Sequence, residues 1–152
     1  MKRTARVAIP VLILALAFGA AYAQFAKPED AIQYRKSVMV LISQHVKRMY
    51  AVVQGKSAYD KDEFSANADV VEMLTTLPWQ AMMEPGTDKG DTNMSSAVFE
   101  KVEQFRETAG SFETAAAKLA STARGGDLNA IKAQFGKAVQ YCKTCHTEFR
   151  KK

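Results

Sequence analysis

The amino-acid sequence predicts an all-α protein, an antiparallel four-helix bundle with up-down-up-down topology. Four segments repeat apolar residues at alternating steps of three and four, which is the spacing of one face of an α-helix. Between residues 24 and 152 there is no strand-like alternation of apolar and polar residues. Short or moderate connections join the segments, which favours antiparallel neighbours. With 152 residues, 47% of them hydrophobic and 24% charged, the composition fits one globular domain and excludes disordered and fibrous classes.

The first helix is predicted to begin at Pro28 and to end before Gly55. Proline is favoured in a first helical turn, and the acidic Glu29 and Asp30 complement the positive end of the helix dipole. A buried guanidinium is costly without a partner, so we expect a buried anion beside Arg35, the one charged residue on the apolar face. The alternative is an arginine whose charged end reaches water. The predicted face consists of Ile32, Arg35, Met39, Ile42, Val46, Met49 and Val53.

The second helix is predicted to begin after Asp60, which forms an expected capping pair with Glu63, and to end at Pro78. The following stretch, residues 78–94, is predicted to be an irregular connection because it contains Trp79, Pro85, Gly86 and Gly90. Connections of this length in compact domains tend to be functional. We therefore expect this one to close an end of the bundle over a ligand.

The third helix is expected to be capped by Ser95 or Ser96 and to end at the glycine pair 125–126. Asp127 is expected to cap the fourth helix. The apolar face of the third helix comprises Val98, Val102, Phe105, Ala109, Phe112, Ala116 and Leu119. That of the fourth comprises Leu128, Ile131, Phe135, Ala138, Cys142, Cys145 and Phe149.

Residues 1–23 have the order of a secretory signal peptide. Three cations precede a 12-residue apolar run, residues 7–18, and Ala21-Tyr22-Ala23 supplies the small residues of a cleavage site. A membrane-spanning helix needs about 20 apolar residues, so we predict cleavage after Ala23 and a periplasmic domain, residues 24–152, without stable membrane insertion. Loss of Lys2, Arg3 and Arg6 lowers the formal charge from +5 to +2, which argues against a nucleic-acid-binding protein.

The segment Cys142-Lys143-Thr144-Cys145-His146 is the Cys-x-x-Cys-His signature of c-type haem attachment. Two thiols can bond to the two haem vinyl groups while the adjacent imidazole binds the iron. On a helix, Cys142 and His146 are four residues apart and therefore project toward one face. The sequence thus predicts one covalent haem c per chain, with its iron bound by His146.

The same cysteines could instead form a thioredoxin-like dithiol or part of a zinc site. A redox pair normally opens a helix beside a βαβ unit, whereas this pair lies late in a helix of an all-helical chain. Zinc would need four ligands, and the only other histidine is His45. A haem-free dithiol or metal module is therefore kept as a third hypothesis. No Ser-His-Asp or other catalytic arrangement is found, and we predict a binding protein rather than an enzyme.

The chain resembles the class II c-type cytochromes, the cytochrome c′ family, because the motif lies on the last of four helices after a signal peptide. The resemblance covers residues 24–152. It includes the opening residues 24–31, the Tyr34-Arg35 pair, the Leu77-Pro78-Trp79 corner, the Pro85-Gly86-Thr87 loop and the segment from Cys142 to Lys152.

This resemblance implies roles for individual residues. His146 would be the proximal iron ligand, and Cys142 and Cys145 would be the thioether anchors. Arg35 would meet a haem propionate, Arg150 would lie beside the proximal histidine, and Asp91 would lie near the haem edge. The resemblance also implies a homodimer built from the first two helices.

The residue on the other side of the iron decides the implied function. Cytochrome c′ leaves that position open behind an apolar residue and binds nitric oxide or carbon monoxide, whereas relatives with a methionine there are low-spin electron carriers. Alignment from Tyr34-Arg35 places Met39 at this position. At 1.5 Å per residue, Met39 lies about 16 Å along the first helix and His146 about 8 Å from the end of the last, so the two are roughly level.

We therefore predict a periplasmic mono-haem electron carrier, with His146 and Met39 as iron ligands and redox proteins as partners. Met49 lies about 31 Å along the first helix and is too far away. Met82, Met83 and Met94 in the connection are fallback ligands. The alternative function is a five-coordinate protein that binds a diatomic gas at an open site, with Met39 only shielding the iron.

Overall fold

A computed structural model of the chain describes residues 24–152, and the predicted signal peptide lies outside this range. The helices are α1 (Pro28–Val53), α2 (Lys61–Thr75), α3 (Pro78–Met83), α4 (Ala97–Glu100), α5 (Val102–Gly125) and α6 (Leu128–Phe149). The four long helices, α1, α2, α5 and α6, form the bundle, so the predicted all-α fold is confirmed. Within residues 24–152 the one β-type pairing is an isolated antiparallel bridge between Met94 and Arg150. None of the helices in that range combines the length and the apolar composition needed to cross a membrane.

Two aspartates begin helices as predicted. Asp60 precedes α2, and its carboxylate accepts a hydrogen bond from the backbone N–H of Glu63 at 2.8 Å. Asp127 precedes α6 and accepts from the backbone N–H groups two and three residues later, at 2.9 and 3.2 Å. At the end of α5, Gly126 has a φ of 81°, a left-handed conformation that favours glycine. The sequence therefore located these three helix boundaries correctly.

The predicted third helix is divided into two. Helix α4 ends at Glu100, Lys101 leaves the helical conformation with φ −122° and ψ 50°, and α5 begins at the next residue. The expected capping by Ser95 or Ser96 does not form. Instead the hydroxyl of Ser96 donates to the Glu100 carboxylate at 2.7 Å, because a charged acceptor one turn away makes the stronger hydrogen bond.

The apolar core has two parts, and Trp79 packs against both. The larger part runs between the four long helices, and the smaller one is formed by Met94, Val98, Phe105 and Phe149. The Trp79 ring meets Phe105 edge-on, with centroids 6.0 Å apart. Its indole N–H donates to the Glu113 carboxylate at 2.6 Å, so the partly buried ring keeps its polar group bonded.

The connection 78–94 is more regular than predicted, since it begins with the short helix α3. Pro78 occupies the first helical turn, where its missing N–H costs nothing. Ala81 is fully buried, and α3 packs against α1. The far end of the connection pairs with the C-terminal segment, because Ser95 N–H donates to the Phe149 carbonyl at 2.9 Å and Lys151 N–H donates to the Asn93 carbonyl at 2.8 Å.

Helices α1 and α6 lie on the two sides of the candidate functional site. Each helix of the series α1, α2, α5 and α6 packs along the next, whereas the backbones of α1 and α6 make no comparably close approach. Tyr50 of α1 meets Phe135 of α6 with ring centroids 6.3 Å apart. Toward the N-terminal end of α1 and the C-terminal end of α6, cavities separate the two helices.

Candidate haem-binding site

Two adjoining cavities lie between α1 and the end of α6, with volumes of about 430 and about 360 Å³. Met39, Ser43, Cys145, His146 and Arg150 line both. The smaller cavity is mainly apolar, whereas the larger one opens past the connection 78–94 and has several cationic residues at its edge. The two cavities together form one slot with an apolar end and a polar end.

The two cysteines of the motif are free and half-buried on α6. Cys142 lines the smaller cavity, and Cys145 lines both. Burial raises the pKa of both thiols, and for Cys145 burial and the neighbouring Cys142 raise the pKa to about 11. The thiolate is the nucleophilic form of cysteine, and a raised pKa makes it scarce. This does not suit a thioredoxin-like pair, which reacts through a thiolate. Within residues 24–152 no cluster of three or more His, Cys, Asp or Glu side chains could hold a metal ion, so a zinc site has no support there.

His146 extends from the same end of α6 and lines both cavities. Desolvation by the surrounding protein, followed by the charge of Arg150, lowers the pKa of the His146 imidazole below its ordinary value. A lowered pKa favours the neutral imidazole, which is the form that binds a metal. Two thiols and one neutral imidazole at the end of a single helix fit a covalently held haem better than a metal ion alone.

Met39 faces His146 across the slot, since it lies on α1 and lines the same two cavities. It is half-buried and packs at the edge of the main core. Met82 and Met94 also line the larger cavity, so the slot has three flexible thioether side chains around it. Met49 is 1% exposed in the core and lines neither of these cavities, in agreement with its predicted distance.

Arg35 is buried, with 3% of its surface exposed, and does not reach water as the alternative interpretation expected. Its guanidinium donates to the carbonyls of Ala81 at 3.3 Å and Thr87 at 2.6 Å and to the Thr92 hydroxyl at 2.6 Å. The expected anion is not among these partners, all of which are neutral oxygens. Burial accordingly lowers the pKa of Arg35, and only the more distant Asp88 charge opposes this effect.

The remaining predicted residues lie at the edge of the slot. Arg150 is exposed and lines both cavities beside His146. Asp91 lines the larger cavity, and its carboxylate accepts a hydrogen bond from the Lys36 ammonium at 2.7 Å. That hydrogen bond, together with the Lys36 charge, lowers the pKa of Asp91.

Sequence reasoning missed Lys36, Thr87 and Thr92 as parts of the site. Thr92 contacts Arg35 across 57 positions of the chain. A lone threonine in an irregular connection carries no spacing pattern, so no feature of the sequence indicates such a contact.

A family model described as Cytochrome C' matches residues 30–150 of the chain. The chain belongs to the cytochrome c′ family. Proteins of this family bind covalent haem c, and haem c is accordingly the cofactor. Cytochrome c′ of Alcaligenes xylosoxydans xylosoxydans is 40% identical over 129 residues, which are 85% of this chain and 99% of that protein.

Solved cytochrome c′ structures have the same fold. The structure from Rubrivivax gelatinosus has a TM-score of 0.80 and 40% identity, covering 84% of this chain and 100% of that one. Two variants of the Alcaligenes xylosoxidans protein, one with nitric oxide and one with carbon monoxide bound, each have a TM-score of 0.79 and 38% identity. Both alignments cover 85% of this chain. They cover 99% of the chain with nitric oxide and 100% of the chain with carbon monoxide.

These relatives correct the predicted function. The expectation of an electron carrier with His146 and Met39 on the iron is wrong, because the relatives are cytochrome c′ proteins and variants of one of them have nitric oxide or carbon monoxide bound. The presence of a methionine at position 39 does not by itself determine whether its thioether binds the iron. A methionine on an apolar helix face can cover a site without binding it, since its thioether is flexible and weakly polar.

Proposed function

We propose that this cytochrome c′ is a gas-binding protein that takes up nitric oxide or carbon monoxide on the Met39 side of a five-coordinate haem. The observation that carries the proposal is the arrangement of Met39 and His146, which line the same two cavities from opposite helices. A haem iron held on the protein side by His146 would supply the binding position for a diatomic ligand. The gas complexes of the Alcaligenes xylosoxidans variants support this choice of ligand.

In this proposal the residues of α6 hold the cofactor. Cys142 and Cys145 provide the two thioether bonds, and the neutral imidazole of His146 is the single protein ligand of the iron. Arg150 lies at the edge beside that imidazole. Because all four residues lie at or just after the C-terminal end of α6, one rigid element fixes the attachment and the proximal ligand together.

The residues that line the slot from α1, α5 and α6 select the ligand. Met39 covers the open side, and its three rotatable bonds let the thioether move aside for a small molecule. Ile42, Val46, Phe112 and Val139 make the smaller cavity apolar. Burying an anion among such residues is costly, so neutral diatomic gases are favoured over charged ligands.

Absorption spectroscopy of the purified haem-loaded protein tests this function. We expect a high-spin spectrum in both oxidation states and a new ferrous species on titration with carbon monoxide. A sharp low-spin ferrous spectrum that carbon monoxide does not change would contradict the proposal. The mass of the intact protein, equal to residues 24–152 plus one haem, would support both covalent attachment and cleavage after Ala23.

We further propose that the protein is a periplasmic homodimer with no catalytic reaction of its own, kept in the ferrous state by redox partner proteins. The exposed apolar side chains of the first two long helices support a dimer contact there. Val40 and Leu41 on α1 are 59% and 49% exposed, and Met73 on α2 is 65% exposed. Val40 and Leu41 are adjacent in the chain, and exposed apolar patches on a globular protein commonly mark an interface.

A further inference from the structure

Thr92 connects three parts of the molecule around the larger cavity. Its Oγ1 accepts a hydrogen bond from Nη2 of Arg35 at 2.6 Å and another from the backbone N–H of Met94 at 3.0 Å. Its carbonyl accepts from the ammonium of Lys151 at 3.1 Å. The hydroxyl is therefore held in place from both α1 and its own loop.

The bonding of this hydroxyl determines where its hydrogen can point. A threonine hydroxyl has one hydrogen to donate and two lone pairs with which to accept. A guanidinium and a backbone N–H can only donate, so the bonds from Arg35 and Met94 occupy both lone pairs. The hydrogen must point away from these two donors, and within residues 24–152 the hydroxyl makes no hydrogen bond as a donor.

The surroundings of Thr92 indicate the kind of acceptor that this hydrogen fits. Thr92 lines the larger cavity together with the cationic residues Arg35, Lys36 and Arg150. Asp91 is the one acidic residue in that lining, and its carboxylate is already bonded to Lys36 at 2.7 Å. This end of the slot thus offers hydrogen-bond donors and positive charge, which together suit a carboxylate.

We propose that Thr92 is a haem-binding residue whose hydroxyl donates a hydrogen bond to one of the two haem carboxylates, beside Arg35. The buried Arg35 charge, which has only neutral hydrogen-bond partners in the protein, then gains an anion next to it. Thr92 therefore has two roles, because it accepts from Arg35 and donates to the cofactor. The proposal depends on the haem c cofactor and not on gas binding.

A crystal structure of the haem-loaded parent protein tests the proposal without any substitution. We expect Thr92 Oγ1 to lie about 2.5–3.0 Å from a carboxylate oxygen of the haem, the range of an O–H···O hydrogen bond. A separation above about 3.5 Å, or a water molecule between the two oxygens, would overturn the assignment.

Resonance Raman spectroscopy of variants provides a second test in solution. Thr92→Val should shift the haem propionate bending band to lower frequency, and Thr92→Ser should leave it at the parent position. Thr108→Val is the matched control, because Thr108 lines the smaller cavity but already donates its hydroxyl hydrogen to the Gln104 carbonyl at 2.8 Å. An unshifted band in haem-loaded Thr92→Val would refute the proposal. Carbon monoxide titration of the same samples reports gas binding separately.

Discussion

The guanidinium of Arg35 holds the connection 78–94 against α1. Two carbonyls and one hydroxyl, spread over residues 81–92, all accept hydrogen bonds from this one buried group. The planar fork of arginine can serve acceptors in several directions at once, which a lysine ammonium on a flexible chain cannot do in the same geometry. A single side chain thereby determines the shape of one wall of the larger cavity.

Replacing Arg35 should destabilise the haem-loaded protein. Arg35→Met retains much of the apolar stem but leaves the carbonyls of Ala81 and Thr87 without their donor, so we expect a loss of about 1–3 kcal/mol in the free energy of unfolding. Denaturant titration measures this loss. Arg106→Met is the control, since Arg106 forms only an exposed pair with Glu103 and should change stability by less than about 0.5 kcal/mol. Equal effects in the two variants would contradict the role of Arg35.

Met39 should limit the access of gas to the site. We expect Met39→Ala to raise the rate of carbon monoxide association with the ferrous protein by about tenfold or more, which corresponds to a barrier lower by about 1.4 kcal/mol. Stopped-flow measurement gives the rate. Met82→Ala is the matched control, because Met82 lines the same larger cavity from α3. If both variants keep the parent rate, Met39 does not cover the open side.

At the level of the elements, α6 carries the proposed haem-binding residues at its C-terminal end, and Asp127 fixes its beginning. The Asp127 carboxylate bonds two backbone N–H groups that would otherwise lack partners. The connection 78–94 determines the opposite wall, and the backbone of residues 93–95 pairs with residues 149–151 at the end of α6. Both ends of α6 are therefore fixed, and this one helix positions the proposed haem-binding residues.

Removal of the Asp127 cap should destabilise the bundle without changing the haem site. Asp127→Ala is expected to lower the free energy of unfolding by about 1 kcal/mol. The absorption spectrum should stay as in the parent, because the cap lies at the far end of α6 from His146. Asp62→Ala is the control, since Asp62 lies in the first turn of α2 and Asp60 supplies the cap there. Thermal unfolding followed by circular dichroism distinguishes the two variants.

The sequence predicted those features that depend on neighbours along a helix. Periodicity placed Met39 and Arg35 on the inner face of α1, and the spacing of the motif placed Cys142 and His146 on α6. It did not predict the break at Lys101, where a local conformation interrupts an apolar repeat that continues on both sides. Nor could it predict the contact of Arg35 with Thr92, because hydrogen bonds between distant segments depend on how the finished elements pack.

At the level of the whole molecule, charge and exposed apolar surface describe how the protein would meet other molecules. The formal charge of residues 24–152 is +2, and the two haem carboxylates offset it. A nearly neutral molecule gains little long-range attraction to a charged partner. We therefore expect the protein to associate with other molecules mainly through the exposed apolar residues of α1 and α2.

A charge placed in this apolar surface should dissociate the proposed dimer. Leu41→Glu is expected to weaken self-association by at least about tenfold, because the dimer would have to bury an unpaired carboxylate. Sedimentation velocity over a range of concentrations measures the change. Lys118→Glu, on the exposed side of α5, should leave the association unchanged. A parent protein that stays monomeric at all concentrations would contradict the dimer itself.

The backbone pairing between residues 93–95 and 149–151 has a consequence for the order of folding. The two segments are separated in the chain by α4, α5 and α6, so their pairing closes a long loop and has a high contact order. The free energy gained from this pairing exceeds the entropy cost of closing the loop only after α5 and α6 have docked onto each other. We therefore expect this end of the slot to close late, so that the two thiols stay accessible to haem attachment while the remainder of the bundle is already formed.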